Sequence, residues 1–108
     1  MTVSLLAQKC GFETVSLPDG DREVCGGYVG DLLSWVMGRA SENCAWITIM
    51  SNVNIVAVAS LVDVACVILA EGVSLPDNIV ETAREKGVNI LSTSLASYEA
   101  AALISKIV

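Results

Sequence analysis

The second half of the chain repeats one pattern three times: a short apolar run, a few small or polar residues, and a segment with apolar residues at helical spacing. The apolar runs cover residues 46–50, 64–69 and 88–91, and the helical segments cover 53–61, 77–86 and 95–108. This alternation is typical of a parallel sheet, because parallel neighbours must be joined by a crossover that is usually a helix. The run 64–69 is apolar throughout, which indicates a central strand covered on both faces. The sequence therefore predicts an α/β fold.

The first half of the chain adds shorter elements to this unit. The predicted elements are a helix between Thr2 and Gly11, strands over 12–17 and 23–28, and a helix over 31–38. Thr2 and Asp31 are residue types that cap helix N-termini, and Gly11 stands where a left-handed C-terminal residue is expected. We therefore expect a small, largely parallel sheet flanked by helices, in a single domain spanning residues 1–108.

Composition narrows the classes of partner. Hydrophobic residues make up 54% of the 108 residues and charged residues only 17%, so we expect either a very complete core or apolar surface covered by a partner. The net charge is −6, and the six Lys and Arg residues are not clustered. Nucleic-acid phosphates and anionic lipid need a basic patch, so neither is an expected partner.

The beginning of the chain and its cysteines favour a cytoplasmic location. No basic stretch precedes a long apolar run near Met1, so a secretion signal is not predicted. Residues 55–70 are the one membrane-span candidate, and they are fewer than the roughly 20 needed. The four cysteines, at positions 10, 25, 44 and 66, form no Cys-x-x-Cys pair, and the chain has no His. We therefore expect free thiols, no metal site and no cofactor.

Small and polar residues follow each of the three strands predicted in the second half. In an open parallel sheet the carboxyl ends of the strands meet along one edge, and ligands bind there beside helix N-termini. The candidate ligand-binding residues of this edge are Ser51, Asn52, Asn54, Glu71, Gly72, Ser92, Thr93 and Ser94. Such an edge suits a small polar or anionic ligand. The same residue types cap helices in βα loops, so simple capping is the alternative interpretation.

Three glycines lie within residues 26–30, just before the predicted helix 31–38. Glycines at a strand-to-helix junction can admit a phosphate against the backbone, so Gly26 and Gly27 are further ligand-binding candidates, which we expect to lie beside this carboxyl edge. The segment matches neither a P-loop nor the dinucleotide-binding Gly-x-Gly-x-x-Gly pattern. A tight turn, or a backbone that passes close to another chain, accounts for the glycines equally well.

The helix 31–38 carries apolar side chains around nearly its whole circumference. One core face cannot absorb all of them, so we expect the second side to be covered by another protomer in a homodimer. The candidate interface residues are Leu33, Trp35, Val36 and Met37. The alternative is that this helix lies centrally in a monomer.

A catalytic set is not visible. The chain has no His, and no nucleophile stands beside an obvious base. Asp19 and Asp21 lie in a predicted turn, while Glu81 and Glu85 lie on a solvated helix face with Arg84. We therefore expect a protein that is not an enzyme.

An acidic and basic pair, Asp21 and Arg22, leads into the glycine pair Gly26 and Gly27. This pattern resembles the signature of the DRTGG domain family, although residues 23–25 stand in place of a single Thr. The segments that also look like that family are 27–34, 46–49 with Asn54 beyond it, and 90–93. The resemblance covers essentially the whole chain.

The resemblance implies an α/β fold similar to the N-terminal domain of bacterial HPr kinase/phosphorylase. It also implies a regulatory module, found elsewhere fused to CBS pairs or to phosphate acetyltransferase. The kinase activity of the first relative belongs to another domain with a P-loop, a motif that this sequence lacks.

The sequence as a whole predicts a bacterial, non-catalytic regulatory domain that binds a small polar metabolite or nucleotide and signals through a homodimer or a partner protein. The alternative function is a protein-interaction subunit that docks on an enzyme without a small-molecule ligand. A small kinase or transferase is a third, minor interpretation.

Overall fold

A computed structural model describes all 108 residues of the chain. The strands of its single sheet are β1 (Glu13–Ser16), β2 (Gly27–Val29), β3 (Ala45–Thr48), β4 (Cys66–Leu69) and β5 (Ile90–Ser92). They lie in the order β1-β5-β4-β3-β2. The four strands from β2 to β5 are parallel to their neighbours, and β1 pairs antiparallel with β5. The prediction of a largely parallel α/β sheet is confirmed.

Helices cover both faces of this sheet. Their bounds are α1 (Val3–Cys10), α2 (Leu33–Arg39), α3 (Asn54–Val62), α4 (Asp77–Glu85) and α5 (Ser97–Ser105). The crossover helices α2, α3 and α4 contact one another in sequence, and α1 packs against α5. Because successive parallel strands are neighbours and right-handed crossovers all return on the same side, α2, α3 and α4 share one face.

The core is divided into two halves by the sheet. Alternate residues of a strand point to opposite faces, so Ile47 faces the α1 and α5 side while Trp46 faces α2, α3 and α4. In the same way Ile68 and Val67 enter opposite halves from β4. Every residue of β3 and β4 is buried, which is why these segments are apolar without alternation.

Helix ends follow the sequence at the first helix but not at the second. The Thr2 hydroxyl accepts a hydrogen bond from the amide of Leu5 at 3.2 Å, and Gly11 ends α1 with φ +69°. The prediction that Asp31 caps the next helix is wrong, since α2 begins after Leu32 without a side-chain cap. The Asp31 carboxylate instead accepts from the Thr48 hydroxyl at 2.8 Å, which ties the end of β2 to the end of β3.

The second predicted strand is also shorter and begins later than expected. Only Gly27–Val29 forms β2, and the region before it is held by Glu23 in an isolated bridge with Thr2. Gly26 has φ +83° and lies just before the strand. Its carbonyl accepts a hydrogen bond from the Ala45 amide at 3.0 Å. The glycine pair therefore starts β2 instead of ending it.

Candidate functional site

A polar hollow of about 290 Å³ lies at the carboxyl ends of β4 and β5. Its lining residues are Gly11, Glu13, Gly72, Val73, Ser74, Ser92, Thr93 and Ser94. Of these, Gly72, Ser92, Thr93 and Ser94 are among the candidate ligand-binding residues of the sequence. Only one lining residue is hydrophobic. We call this site the carboxyl-edge hollow.

Backbone hydrogen bonds between the two strand ends shape the hollow. After β4 the chain turns sharply, because Glu71 and Gly72 both adopt left-handed conformations with φ +61° and +71°. The amide of Gly72 then donates to the carbonyl of Thr93 at 3.0 Å. The amide of Glu71 donates to the Leu95 carbonyl at 2.8 Å. The two loops are therefore held side by side and do not depend on a ligand for their arrangement.

The hydroxyl groups of the hollow differ in their partners. The Thr93 hydroxyl accepts from the Leu95 amide at 3.2 Å, so it stabilises its own loop. The hydroxyls of Ser74, Ser92 and Ser94 make no hydrogen bond within the chain. None of these three serines caps a helix, since the N-cap residues of α4 and α5 are Pro76 and Ala96. The capping interpretation therefore fails for Ser92 and Ser94.

Glu13 is the single charged residue that lines the hollow. It stands directly opposite Ser92 in the antiparallel pair of β1 and β5. Side chains at such positions are close neighbours, with Cβ atoms about 5 Å apart. Neither Lys nor Arg lines the hollow, and Glu13 has no ion-pair partner. The fixed charge of the site is negative.

Sequence reasoning missed Gly11 and Glu13 as lining residues. Gly11 was assigned only to the end of the first helix, and Glu13 belongs to a strand whose partner the sequence did not reveal. The pairing of β1 with β5 places both beside the carboxyl edge. Ser74 also lines the hollow, and it lies in the loop after β4 that the sequence places at this edge.

The other four candidate residues of the carboxyl edge lie outside the hollow. Three of them, Ser51, Asn52 and Asn54, are exposed and follow β3, which is the strand next to β4. The Asn52 side-chain oxygen accepts from the Asn54 amide at 2.9 Å, a local turn that starts α3. The Asn52 side chain therefore stabilises its own loop, although α3 itself has no side-chain cap. Glu71 is exposed and does not line the hollow either.

Gly26 and Gly27 lie elsewhere. Because they lie at the start of β2, they stand at the amino edge of the sheet. The prediction that they lie beside the carboxyl edge is therefore wrong. They line a second groove, of about 280 Å³, between the edge strand β2 and the end of α5. Most of its lining is apolar and includes Val29, Ile47 and Ile104.

Apolar side chains are exposed on α2, but one assigned interface residue is not among them. Val36 is fully buried in the core beneath the helix, so it is not available to a partner. Leu33 is half-buried against the same core. Trp35 and Met37 are 52% and 46% exposed, and Leu32 beside them is also exposed. The Arg39 guanidinium lies 3.7 Å from the centre of the Trp35 ring.

Arg22 holds the amino edge of the sheet together. Its guanidinium donates from Nε and Nη2 to the Asn43 side-chain oxygen, at 3.0 and 2.8 Å. The Nη2 atom also donates to the Asp63 carbonyl and lies 2.9 Å from the Asp63 carboxylate. Asn43 and Asp63 are both left-handed, with φ +66° and +65°. Arg22 of the motif thus clamps two strained turns that lead into β3 and β4.

The four cysteines are free, and the two in the core are far from reactive. Burial raises the pKa of the Cys66 thiol to about 12. Burial also raises the pKa of Cys44. Cys25 is exposed next to the glycine pair. No group of three or more Cys, Asp or Glu side chains is placed to share a metal ion.

Comparison with known proteins gives one family and one informative structure. A family model described as the DRTGG domain matches residues 30–107. The Asp21 and Arg22 pair lies before this range, so the match rests on the βα units and α5. No curated protein sequence matches the chain significantly.

A crystal structure with the same fold contains the CBS and DRTGG domains of the regulatory region of Clostridium perfringens pyrophosphatase, complexed with its activator, diadenosine tetraphosphate. The TM-score is 0.74 at 17% sequence identity, over 95% of this chain and 45% of that one. The chain therefore spans less than half of the length of that protein. No helix of the present structure has the length and apolar character needed to cross a membrane.

Proposed function

Because this chain belongs to the DRTGG domain family, we propose that it is a non-catalytic regulatory domain whose carboxyl-edge hollow binds a small polar metabolite or nucleotide. The observation that carries the proposal is the set of three serine hydroxyls in the hollow without partners in the chain. Polar groups that converge on a preformed concave surface are typical of ligand sites. The regulatory region of the clostridial pyrophosphatase, which has an activator nucleotide, supports a sensing role.

A melting-temperature screen tests this function. The panel consists of D-ribose, adenosine, AMP, ATP and diadenosine tetraphosphate, each at millimolar concentration. A compound that binds the native state at 100 times its Kd stabilises it by about 2.7 kcal/mol, which is a shift of roughly 10 °C or more for a domain of this size. A member of the panel that binds in the hollow with a Kd of about 10 µM should give such a shift at about 1 mM, and a weaker binder should give a smaller one.

A variant in which the hollow is blocked shows where the ligand binds. Ser94→Trp places a large ring at the exposed rim of the hollow and should abolish the shift. Ser60→Trp makes the same substitution at an exposed position on α3 and should retain it. A shift that survives Ser94→Trp would place the ligand elsewhere. No shift with any compound would remove the support for sensing.

We propose further that the domain signals as a homodimer or through a partner enzyme, with the outward face of α2 covered. Leu32, Trp35 and Met37 are exposed apolar residues in α2 or directly before it. Trp, Met and Arg are enriched at protein interfaces, and the Arg39 guanidinium packs on the Trp35 ring. A cytoplasmic location is part of the proposal, supported by four unpaired thiols.

The second candidate function, an interaction subunit without a small-molecule ligand, is favoured by the same exposed face. Trp35→Asp should abolish either self-association in light scattering or capture of a partner enzyme. Tyr98→Asp is the matched control, because Tyr98 is an exposed aromatic residue on α5, on the other side of the sheet. A wild-type chain that is monomeric at high micromolar concentration and captures no enzyme would contradict both forms of the interface.

A further inference from the structure

Resting on the proposed function of the hollow, we infer that its ligand is recognised through a vicinal diol, as in a sugar or the ribose of a nucleoside, and carries no phosphate inside the site. Three features of the hollow support this ligand chemistry: its charge, its hydroxyl groups and its size.

The charge of the hollow opposes phosphate. Glu13 is the single charged lining residue, and neither of the ion pairs in the chain brings a cation there. Helix N-termini often bind anions, but both nearby helices carry acids in their first turns, Asp77 in α4 and Glu99 in α5. The Glu99 carboxylate already accepts from the Ala96 amide at 2.9 Å. A phosphate in the hollow would face carboxylate and no neutralising side chain.

The hydrogen-bonding groups of the hollow fit a diol. A carboxylate only accepts hydrogen bonds, and its two oxygens can accept from two adjacent hydroxyls. Glu13 is exposed and without an ion-pair partner, and Ser92 stands opposite it in the sheet register. The serine hydroxyls both donate and accept, so they complement the remaining oxygens of a polyol. An acidic residue that binds ribose hydroxyls is a general device of α/β proteins.

The size of the hollow agrees with a small ligand. Ligand pockets usually measure about 300–1,000 Å³, and this one, at about 290 Å³, lies at the lower end. Such a volume suits one or two rings and not a whole dinucleoside polyphosphate. The Cβ position of Gly72 and that of Gly11 meet no atom within 4 Å, so open space adjoins both glycines.

The test measures affinities of the full chain by calorimetry for D-ribose, adenosine, 2′-deoxyadenosine, AMP and ATP. We expect adenosine to bind at least tenfold more tightly than AMP, and AMP more tightly than ATP. Removal of the 2′-hydroxyl should weaken binding about tenfold or more. The ratio of D-ribose to adenosine affinity tells whether a free sugar or a nucleoside is preferred, and binding of either supports the inference.

Charge variants make the test specific. Glu13→Gln removes the negative charge and one strong acceptor, so it should weaken adenosine binding several-fold and reduce the difference between adenosine and AMP. Glu85→Gln, at the exposed end of α4, is the matched control and should change neither value. Glu13 is exposed, so neither variant is expected to affect folding.

Three outcomes would overturn the inference, and they are distinct. If AMP or ATP binds more tightly than adenosine and Ser94→Trp abolishes that binding, the hollow is a ligand site but the diol assignment is wrong. If adenosine and 2′-deoxyadenosine bind equally, the diol is not recognised. If no compound of either panel binds, the proposed function fails together with the inference.

Discussion

Replacement of Arg22 should destabilise the fold far more than its position near the surface suggests. In Arg22→Met the Asn43 side-chain oxygen loses two donors, and Asp63 loses an ion pair and a donor to its carbonyl. Hydrogen bonds to charged groups contribute about 1.5–3 kcal/mol each, but these share one side chain and are not additive. The side chain is 20% exposed, so solvent screens part of the ion pair. We expect a loss of about 2–4 kcal/mol.

The loss includes backbone strain that Arg22 helps to hold. Asn43 and Asp63 lie in the left-handed region, which costs a non-glycine residue on the order of 1 kcal/mol. Without the guanidinium, fewer contacts keep these turns in place. The Asn43 turn would still accept a hydrogen bond from the Cys25 amide at 2.8 Å, through its carbonyl. Arg22→Lys keeps the charge but not the forked geometry, so it should lose about half as much stability.

Urea denaturation followed by circular dichroism measures the change. Arg84→Met is the matched control, because Arg84 is exposed and its nearest acceptor, the Val15 carbonyl, is 3.5 Å away. It should alter the free energy of unfolding by less than about 0.5 kcal/mol. A double-mutant cycle of Arg22→Met with Asn43→Gly should give a coupling above about 1 kcal/mol. A loss below about 1 kcal/mol in Arg22→Met, with no coupling, would refute the clamp.

Two further predictions concern the core. Asn89→Ala should lower the free energy of unfolding by about 2–3 kcal/mol in urea denaturation, because the buried Asn89 amide donates to the carbonyls of Asp19 and Ala65 at 2.8 and 3.0 Å. Exposed Asn78→Ala is the control, and equal effects of the two would contradict this role. Burial raises the pKa of Cys66 from about 9 to about 12, so above pH 9 the unfolded thiol loses its proton while the folded one keeps it. Stability should therefore be unaffected by this group below pH 9 and fall by roughly 1.4 kcal/mol per pH unit above it, and Cys66→Ala should remove that slope between pH 9 and 10.5. An unchanged slope in the variant would show that other groups cause the loss.

The parallel half of the fold could be predicted from the sequence because its signals are local. Strand β4 is buried on both faces, so its apolar run needs no knowledge of its partners. The first half gives weaker signals. Strand β1 has four residues, only one of them fully buried, and its antiparallel pairing with β5 joins residues nearly eighty positions apart along the chain. No local pattern specifies such a pairing.

The candidate site could be predicted only in part for the same reason. Ser92, Thr93 and Ser94 were found because the end of a parallel strand is a general place for ligands. Glu13 was not found because it reaches the hollow through the pairing with β5. The glycine pair was assigned to the wrong edge because β2 begins at Gly27, four residues later than the predicted strand 23–28. Asp31 was assigned as a cap because sequence gives residue type, while the structure gives it a stronger partner in Thr48.

The central claim is that the carboxyl-edge hollow binds a small polar ligand. The most direct measurement is a titration of the ¹⁵N-labelled chain with adenosine, monitored by amide chemical shifts. The account predicts saturable shifts at Gly72, Ser92 and Ser94, with little change at Val29 and at the indole of Trp35. Shifts confined to the groove beside β2, or no shifts at millimolar adenosine and AMP alike, would contradict it.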